Sequence, residues 1–208
     1  MRLITTAMMW LCVAATAILS VGSTSAQPPG FSADPASVRA GSYEIDPLHT
    51  RVTWTTSHFG MSRYSGQLVD LSGRLEVNPS DLTQSILSVT IPMDKGGVFQ
   101  PDLDKRLLTE FFDAAKYPTA TFSSTSIERV SDREVRVAGN LTLKGVTKPV
   151  MFVGLFNGSG IHPVSKRFTI GFNGETTIKR SDFGVTALVP AIGDEVRLAL
   201  EAEFRLPG

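Results

Sequence analysis

The three histidines, His49, His58 and His162, are the residues of this chain that could ligate a metal or act as a general base. His49 and His58 could approach each other in the fold, but neither has a cysteine partner, a histidine at helical spacing or a dense acidic cluster beside it. Asp46 and His49 could form a triad with a serine, yet no Gly-x-Ser-x-Gly segment is present, and such triples arise by chance in a chain of this length. We therefore predict hydrogen-bonding roles for the histidines, no metal site and no catalytic residues.

Phosphate and nucleic-acid chemistry is equally weakly indicated. The glycine-rich segment Asn157-Gly158-Ser159-Gly160 is expected to form a loop. It leads to no helix with a lysine, so neither nucleotide-binding signature is present. Lys and Arg number 20, as do Asp and Glu, and no long run of one sign occurs. The partner is therefore not expected to be a nucleic acid, and no polybasic membrane anchor is predicted.

The first 26 residues have the composition of a secretory signal peptide. Arg2 provides the positive start, residues 3–21 are mostly apolar, and Thr24-Ser25-Ala26 offers small residues for cleavage. A single membrane anchor is the alternative, but the apolar run is short and no basic flank follows it. The only cysteine, Cys12, lies in this run, so the sequence predicts an exported, cysteine-free mature chain from residue 27.

The mature chain has the pattern of an antiparallel β-protein. Residues 27–40 are rich in Pro, Gly, Ser and Ala without periodicity, which predicts a flexible lead-in. From residue 41 to 206, segments of alternating apolar and polar residues are separated by turn signals, and we expect a single domain there. About eight such strands are expected, and eight antiparallel strands can close into a barrel that is filled by side chains or holds one small ligand.

The first of these strands has a mixed inner face. Val52 and Trp54 are apolar, whereas Thr56 and His58, on the same face, are polar. This pattern is typical of a wall that meets a ligand or a buried polar group. For His58 we favour a buried, hydrogen-bonded role over a place at the polar end of a ligand site.

A helical pattern interrupts the strands between residues 101 and 117. Leucines and two phenylalanines recur at spacings of three and four, with Asp102, Asp104 and Glu110 expected to face away, and Tyr117-Pro118 is expected to end the helix. Phe111 and Phe112 cannot share one narrow stripe. One ring is therefore expected to cap the mouth of the sheet and the other to pack on its flank, with ordinary core packing as the alternative for either.

Inward aromatic residues favour a container for an apolar molecule over a catalyst. Trp54, Phe122, Phe152 and Phe172 are expected inside the barrel, with an aromatic helix at its rim. Composition alone does not separate such a container from a well-packed structural domain.

Five segments, in order, resemble the motifs of the YceI-like family of periplasmic lipid- or polyisoprenoid-binding proteins. They are Tyr43-Glu-Ile-Asp46 with the following His49, Val52, Trp54, His58 and Gly60; Glu110-Phe-Phe-Asp113; Lys116-Tyr-Pro-Thr-Ala-Thr-Phe122; Gly139-Asn-Leu-Thr-Leu-Lys-Gly-Val-Thr-Lys148; and Thr177-Ile-Lys-Arg-Ser-Asp-Phe-Gly184 with Gly193-Asp-Glu-Val196.

The resemblance implies an eight-stranded lipocalin-like barrel, located in the periplasm, whose apolar tunnel holds an isoprenoid chain such as a quinone tail or a polyprenyl carrier. It implies no catalytic residues and no cofactor other than such a bound lipid. The candidate ligand-binding residues are Val52, Trp54, His58, Leu87, Val89, Ile91, Arg106, Phe111, Phe112, Phe122, Leu143, Phe152, Phe172 and Ile178.

One position departs from the family pattern. Arg106 stands where many members carry a histidine, and a fixed cation there would favour a phosphate or carboxylate head group. The second hypothesis for the whole chain is a structural or stress-response module that docks to a membrane redox protein, with an interior that is only core. The sequence leaves open whether two chains pair and whether the protein contacts a membrane or a membrane protein transiently.

Overall fold

The computed structural model describes residues 27–208, so the predicted signal peptide and Cys12 lie outside the described residues. The strands are β1 Phe31–Ser32, β2 Gly41–Ile45, β3 Arg51–His58, β4 Ser62–Leu68, β5 Ser72–Val77, β6 Ile86–Pro92, β7 Gly96–Gly97, β8 Thr119–Arg129, β9 Glu134–Leu143, β10 Val146–Ile161, β11 Phe168–Lys179 and β12 Ile192–Arg205. The α-helix α1, Pro101–Arg106, continues as a π-helical turn, Leu107–Phe111, and 3₁₀ turns lie at Pro35–Ser37, Leu82–Gln84 and Arg180–Phe183.

The short strands combine into eight long antiparallel strands that close a barrel. β2 and β3 both pair with β12 and form one interrupted strand, and β4 and β5 form the next in the same way. β6 continues the wall beside β5, and β8 to β12 follow in chain order until β12 returns to β2 and β3. The predicted eight-stranded antiparallel barrel is thus confirmed, with one short helix at its rim.

The break between β2 and β3 is stabilised by a buried carboxylate. Asp46 is 4% exposed, and its oxygens lie 3.1 Å from the backbone nitrogen of Leu48, from Nδ1 of His49 and from Nη1 of Arg205. Burial alone would raise the pKa of Asp46, but these hydrogen bonds and the Arg205 charge outweigh it and hold the pKa below its ordinary value. The ionised carboxylate therefore contributes to stability.

Asp46→Asn should lower the free energy of unfolding by about 2 kcal/mol at neutral pH, because charge-assisted hydrogen bonds are weakened. A carboxylate whose pKa in the folded protein lies below its ordinary value of 3.8 stabilises the folded state fully when the pH is above 3.8. This stabilisation is lost as the pH falls through the pKa of the folded protein. In urea titrations the gap between variant and wild type should therefore narrow as the solution is acidified below about pH 4. A gap that stays constant on acidification would mean that the substitution acts through packing.

The lead-in, residues 27–40, contacts the barrel, and its flexibility stays a prediction. β1 pairs with the end of β10, and the hydroxyl groups of Ser37 and Ser159 lie 2.7 Å apart. The guanidinium of Arg39 lies 4.1 Å from the centre of the Phe168 ring, and the carbonyl of Arg39 accepts a hydrogen bond from the fully buried Tyr43 hydroxyl. The lead-in therefore packs against the end of the barrel where β10 ends and β11 begins.

Three local predictions are wrong. Residues 157–160, expected as a loop, belong to β10, because Ser159 and Gly160 pair with β11 on one side and β1 on the other. The helical segment ends at Phe111 and not at Tyr117, since Asp113 has a left-handed φ of 50°. Asp104 does not face away: its carboxylate accepts hydrogen bonds from the backbone nitrogens of Val98 (2.6 Å) and Gln100 (3.1 Å).

Gly139 lies where β9 comes close to the neighbouring strand β8. A Cβ atom there would stand 2.4 Å from Cζ of Phe122 and 2.5 Å from the backbone oxygen of Ser123. The ring could turn away, but the strand backbone cannot. The residue is therefore required by the close approach of β8 and β9.

Gly139→Ala should reduce the free energy of unfolding by about 2 kcal/mol, the usual effect of overpacking. Gly171→Ala is the matched control, because a Cβ at Gly171 meets no atom closer than 4.0 Å. Chemical denaturation measures the free energy of unfolding of both variants, and only Gly139→Ala should show the larger loss. Equal destabilisation by the two would show that loss of glycine itself, and not the clash, is responsible.

Candidate ligand-binding cavity

Two adjacent cavities lie inside the barrel. The first, of about 210 Å³, lies among β2, β3, β5, β6 and β8 to β12, and we call it the inner cavity. The second, of about 420 Å³, lies beneath α1 and the π-helical turn, and we call it the helix-side cavity. Val52, Ile91, Leu141 and Leu198 line both and form a waist where the two meet. Together the cavities run along the barrel from the β2 end to the helix.

The inner cavity is lined by apolar side chains that alternate inward along the strands. Phe122 and Phe152 pack against each other with ring centres 5.7 Å apart, and Phe172 packs against Phe156 at 5.6 Å and Phe204 at 6.2 Å. Leu87, Val89 and Ile91 of β6 complete one side. The period-2 pattern of the sequence identifies these residues because alternate side chains of a strand point to the same face.

The helical segment covers the helix-side cavity. Phe111 and Phe112 both line this cavity, so the predicted division into one capping ring and one flanking ring is wrong. In the π-helical turn, successive side chains are separated by a smaller angle around the axis than in an α-helix. Both rings therefore lie on the side of the segment that faces the cavity. Nζ of Lys144 donates to the carbonyl of Phe111 at 3.1 Å and connects the segment to the β9–β10 turn.

The two polar residues of β3 differ in environment. The Thr56 hydroxyl is buried and lies 2.9 Å from the carbonyl of Gly193, to which it donates. His58 lines the helix-side cavity, where its ring contacts Phe59 and Tyr64 at 4.7 and 5.9 Å. Within residues 27–208 the His58 ring makes no hydrogen bond, whereas the Thr56 hydroxyl does. The hydrogen-bonded role of His58 stays a prediction.

Arg106 reaches the helix-side cavity from the helix, but its charge is already paired. Its Nε and Nη2 atoms each lie 2.9 Å from an oxygen of Glu110, one helical turn later. This bond raises the pKa of Arg106 and lowers that of Glu110. Both side chains are about half exposed, so the pair belongs to the surface of the cavity mouth.

Arg180 is the other guanidinium of the helix-side cavity, and it is 6% exposed. Its Nε, Nη1 and Nη2 atoms donate to the carbonyls of Gly193, Val185 and Ile192 at 2.8–2.9 Å. Three of its five N–H groups are thereby used, which leaves two. Burial lowers the pKa of Arg180, and only the charge of Asp194 opposes this shift.

No carboxylate within residues 27–208 forms a salt bridge with Arg180. The Asp194 oxygens accept hydrogen bonds from the backbone nitrogen and hydroxyl of Ser181, at 2.9 and 2.7 Å. A buried cation without an ion-pair partner is costly unless something compensates it. Sequence reasoning missed Arg180 because its position between a strand and a turn has no periodic signal.

All fourteen candidate residues line one or both cavities, and their contact with a ligand stays a prediction. The inner cavity has Leu87, Val89, Phe122, Phe152 and Phe172; the helix-side cavity has Trp54, His58, Arg106, Phe111, Phe112, Leu143 and Ile178; Val52 and Ile91 line both. Tyr64, Arg180, Leu198 and Phe204 also line the cavities and were not among the candidates.

A polar cluster that lines neither cavity lies beside the inner cavity, between β2 and β3. Asp46, His49 and Glu203 bring possible metal ligands within 4.8 Å of one another. The same oxygen of Asp46 that faces His49 also bonds Arg205, and this cation competes with any metal. His49 packs near His162, with ring centres 5.9 Å apart, and not near His58, because His49 and His58 lie at opposite ends of β3.

Comparison with known proteins identifies this architecture. The model of the YceI-like domain matches residues 43–204. The UPF0312 protein of Pseudomonas putida is 36% identical over 149 residues, which cover 70% of this chain and 77% of that protein. Protein YceI of Salmonella arizonae is 34% identical over 167 residues, 79% of this chain and 86% of its own length.

Solved structures share the fold. BcnA of Burkholderia cenocepacia superposes with a TM-score of 0.69 at 23% identity, covering 76% of this chain and 98% of BcnA. The YCEI protein of Campylobacter jejuni gives 0.63 at 26% identity, covering 73% and 90%. A polyisoprenoid binding domain from Saccharophagus degradans gives 0.61 at 15% identity, covering 81% and 100%. With its closed eight-stranded barrel and a domain match over most of its length, this chain belongs to the YceI-like family.

Proposed function

We propose that this protein binds a long-chain lipid, an isoprenoid or a comparable fatty chain, inside its barrel and carries it through the periplasm. The observation that carries this proposal is the pair of apolar cavities that meet at the waist of Val52, Ile91, Leu141 and Leu198. Their linear arrangement suits an extended chain better than a compact ligand. The polyisoprenoid-binding description of the structural neighbour from S. degradans supports the same ligand class.

The energetics of chain burial are adequate for such a role. Each methylene transferred from water to an apolar site contributes about 0.8 kcal/mol, so ten buried carbons contribute about 8 kcal/mol before the costs of ordering. Affinity would then come from the chain. The head group would add selectivity.

The polar end of the ligand is assigned to the helix-side cavity, beside Arg180. Within residues 27–208 this buried guanidinium has no ion-pair partner and two N–H groups without a hydrogen bond, whereas Arg106 is paired with Glu110. An anionic or carbonyl-bearing head group would supply the missing acceptor. Arg180 is therefore preferred to Arg106 as the residue that contacts the head group.

Mass spectrometry under native conditions, on protein purified from its own host, tests the ligand. A retained species that extraction identifies as an isoprenoid or fatty lipid supports the proposal. An empty barrel that takes up no added hexadecyl phosphate would contradict it, and would favour the structural module that docks to a membrane redox protein. Fractionation of the host cells tests the periplasmic location independently, because that location rests on the sequence of residues 1–26.

A further inference from the structure

The mouth of the helix-side cavity carries an exposed apolar surface. Phe59 and Met61 of the β3–β4 turn are 52% and 81% exposed, and Leu188 and Val189, in the loop before β12, are also exposed. The backbone nitrogen of Phe59 donates to the carbonyl of Ala191 at 2.7 Å, so the turn and the loop are in direct contact. We call Phe59, Met61, Leu188 and Val189 the mouth face.

The mouth face is continuous with the lining of the helix-side cavity. Phe59 and Leu188 have left-handed φ values of 53° and 58°, which bulky residues rarely adopt. Both also line the helix-side cavity, so the apolar lining continues without interruption onto the surface. A lipid chain that leaves the cavity between Phe59 and Leu188 therefore passes from the apolar cavity lining directly to the apolar mouth face.

The charge of the same two segments favours a lipid surface as the occupant. Residues 59–63 and 184–191 contain no acidic residue, and Arg63 is their only charged side chain. The Glu110 carboxylate at the cavity mouth is paired with Arg106. Exposed aromatic and aliphatic side chains with a basic residue therefore suit the boundary of a bilayer that contains anionic lipid. The opposite end of the barrel differs: Leu48 and Val164 are exposed there, but charged residues of both signs surround them and neither lines a cavity.

We propose that the mouth face docks on a phospholipid bilayer and that the ligand chain enters and leaves the barrel through this contact. This inference rests on the proposed lipid-binding function and adds the surface through which loading occurs. A bilayer contact spares the chain exposure to water during transfer, which is the unfavourable step for an apolar chain.

Vesicle sedimentation tests the docking with two matched double variants. Met61→Ser with Val189→Ser removes exposed apolar groups of the mouth face, and Leu48→Ser with Val164→Ser removes such groups from the opposite end; none of the four residues lines a cavity. Vesicles contain phosphatidylethanolamine and phosphatidylglycerol in equal parts. The first variant should partition onto them about tenfold less than wild type, and the second within about twofold of wild type.

Binding of hexadecyl phosphate in vesicle-free solution separates this inference from the proposed function. Wild type and both variants should bind it equally, which also shows that they fold. Equal sedimentation of the two variants, or a wild-type protein that does not sediment with vesicles, would overturn the docking. A dimer in sedimentation velocity that Met61→Ser with Val189→Ser dissociates, without vesicle binding, would reassign the face to a second copy of the chain. Vesicle binding without any hexadecyl phosphate binding would contradict the lipid-carrier function alone.

Discussion

Leu198→Trp should weaken binding of hexadecyl phosphate roughly a hundredfold and leave that of octyl phosphate within about threefold of wild type. Leu198 lies at the waist, opposite Trp54 in the β3–β12 pairing. A second indole there would close the passage between the cavities. The long chain would then lose about four buried methylenes, whereas the short chain would remain within the helix-side cavity.

The two alkyl phosphates share one head group, so their comparison isolates the length of the buried chain. Leu198→Met is the control, because it conserves volume and leaves the waist open. Titration calorimetry, or competition with a fluorescent fatty acid, measures all three proteins. If Leu198→Trp kept wild-type affinity for the long chain, the chain would not cross the waist, and only one cavity would hold ligand.

The barrel wall could be predicted from the sequence because strand side chains alternate. Once Val52 and Trp54 are placed inward, the same period identifies Leu87, Val89 and Ile91 on another strand. The aliphatic and aromatic candidates therefore all line the cavities. Apolar patterning indicates which face is buried, without any knowledge of the neighbouring strand.

What could not be predicted depends on contacts between distant segments. Residues 157–160 have a loop composition, yet they form a strand because β1 and β11 are available on either side. Local propensity is overridden here by pairing partners that no local pattern reveals.

The two arginines of the site also differ in how much of their environment the sequence predicts. The Arg106–Glu110 pair was accessible from the sequence, since residues four apart on a helix are neighbours. The prediction that Arg106 attracts an anionic head group does not include this pairing with Glu110. The burial of Arg180 depends on β12 and the loop before it, whose carbonyls surround the guanidinium only in the folded barrel.

Arg180→Met should lower the free energy of unfolding by about 3 kcal/mol, because the carbonyls of Val185, Ile192 and Gly193 lose a charged donor. Arg180→Lys should recover part of this loss, since an ammonium keeps the charge but does not reproduce the planar arrangement of donors. Chemical denaturation measures both variants. A change below about 0.5 kcal/mol for Arg180→Met would mean that water replaces these hydrogen bonds and that the site is wetter than its burial indicates.

The same variants decide which arginine contacts the head group. In wild type, hexadecyl phosphate should bind more tightly than hexadecanol, and the ratio of the two affinities cancels any general loss of stability. Arg180→Met should reduce this ratio about tenfold, the usual effect of removing a buried charge-assisted contact, while Arg106→Ala should change it less than about twofold. The Glu110 carboxylate already neutralises Arg106, so its removal withdraws little attraction from the cavity. If Arg106→Ala reduced the ratio and Arg180→Met did not, the head group would lie at the exposed rim. Arg180 would then only stabilise the fold through its hydrogen bonds to the carbonyls of Val185, Ile192 and Gly193.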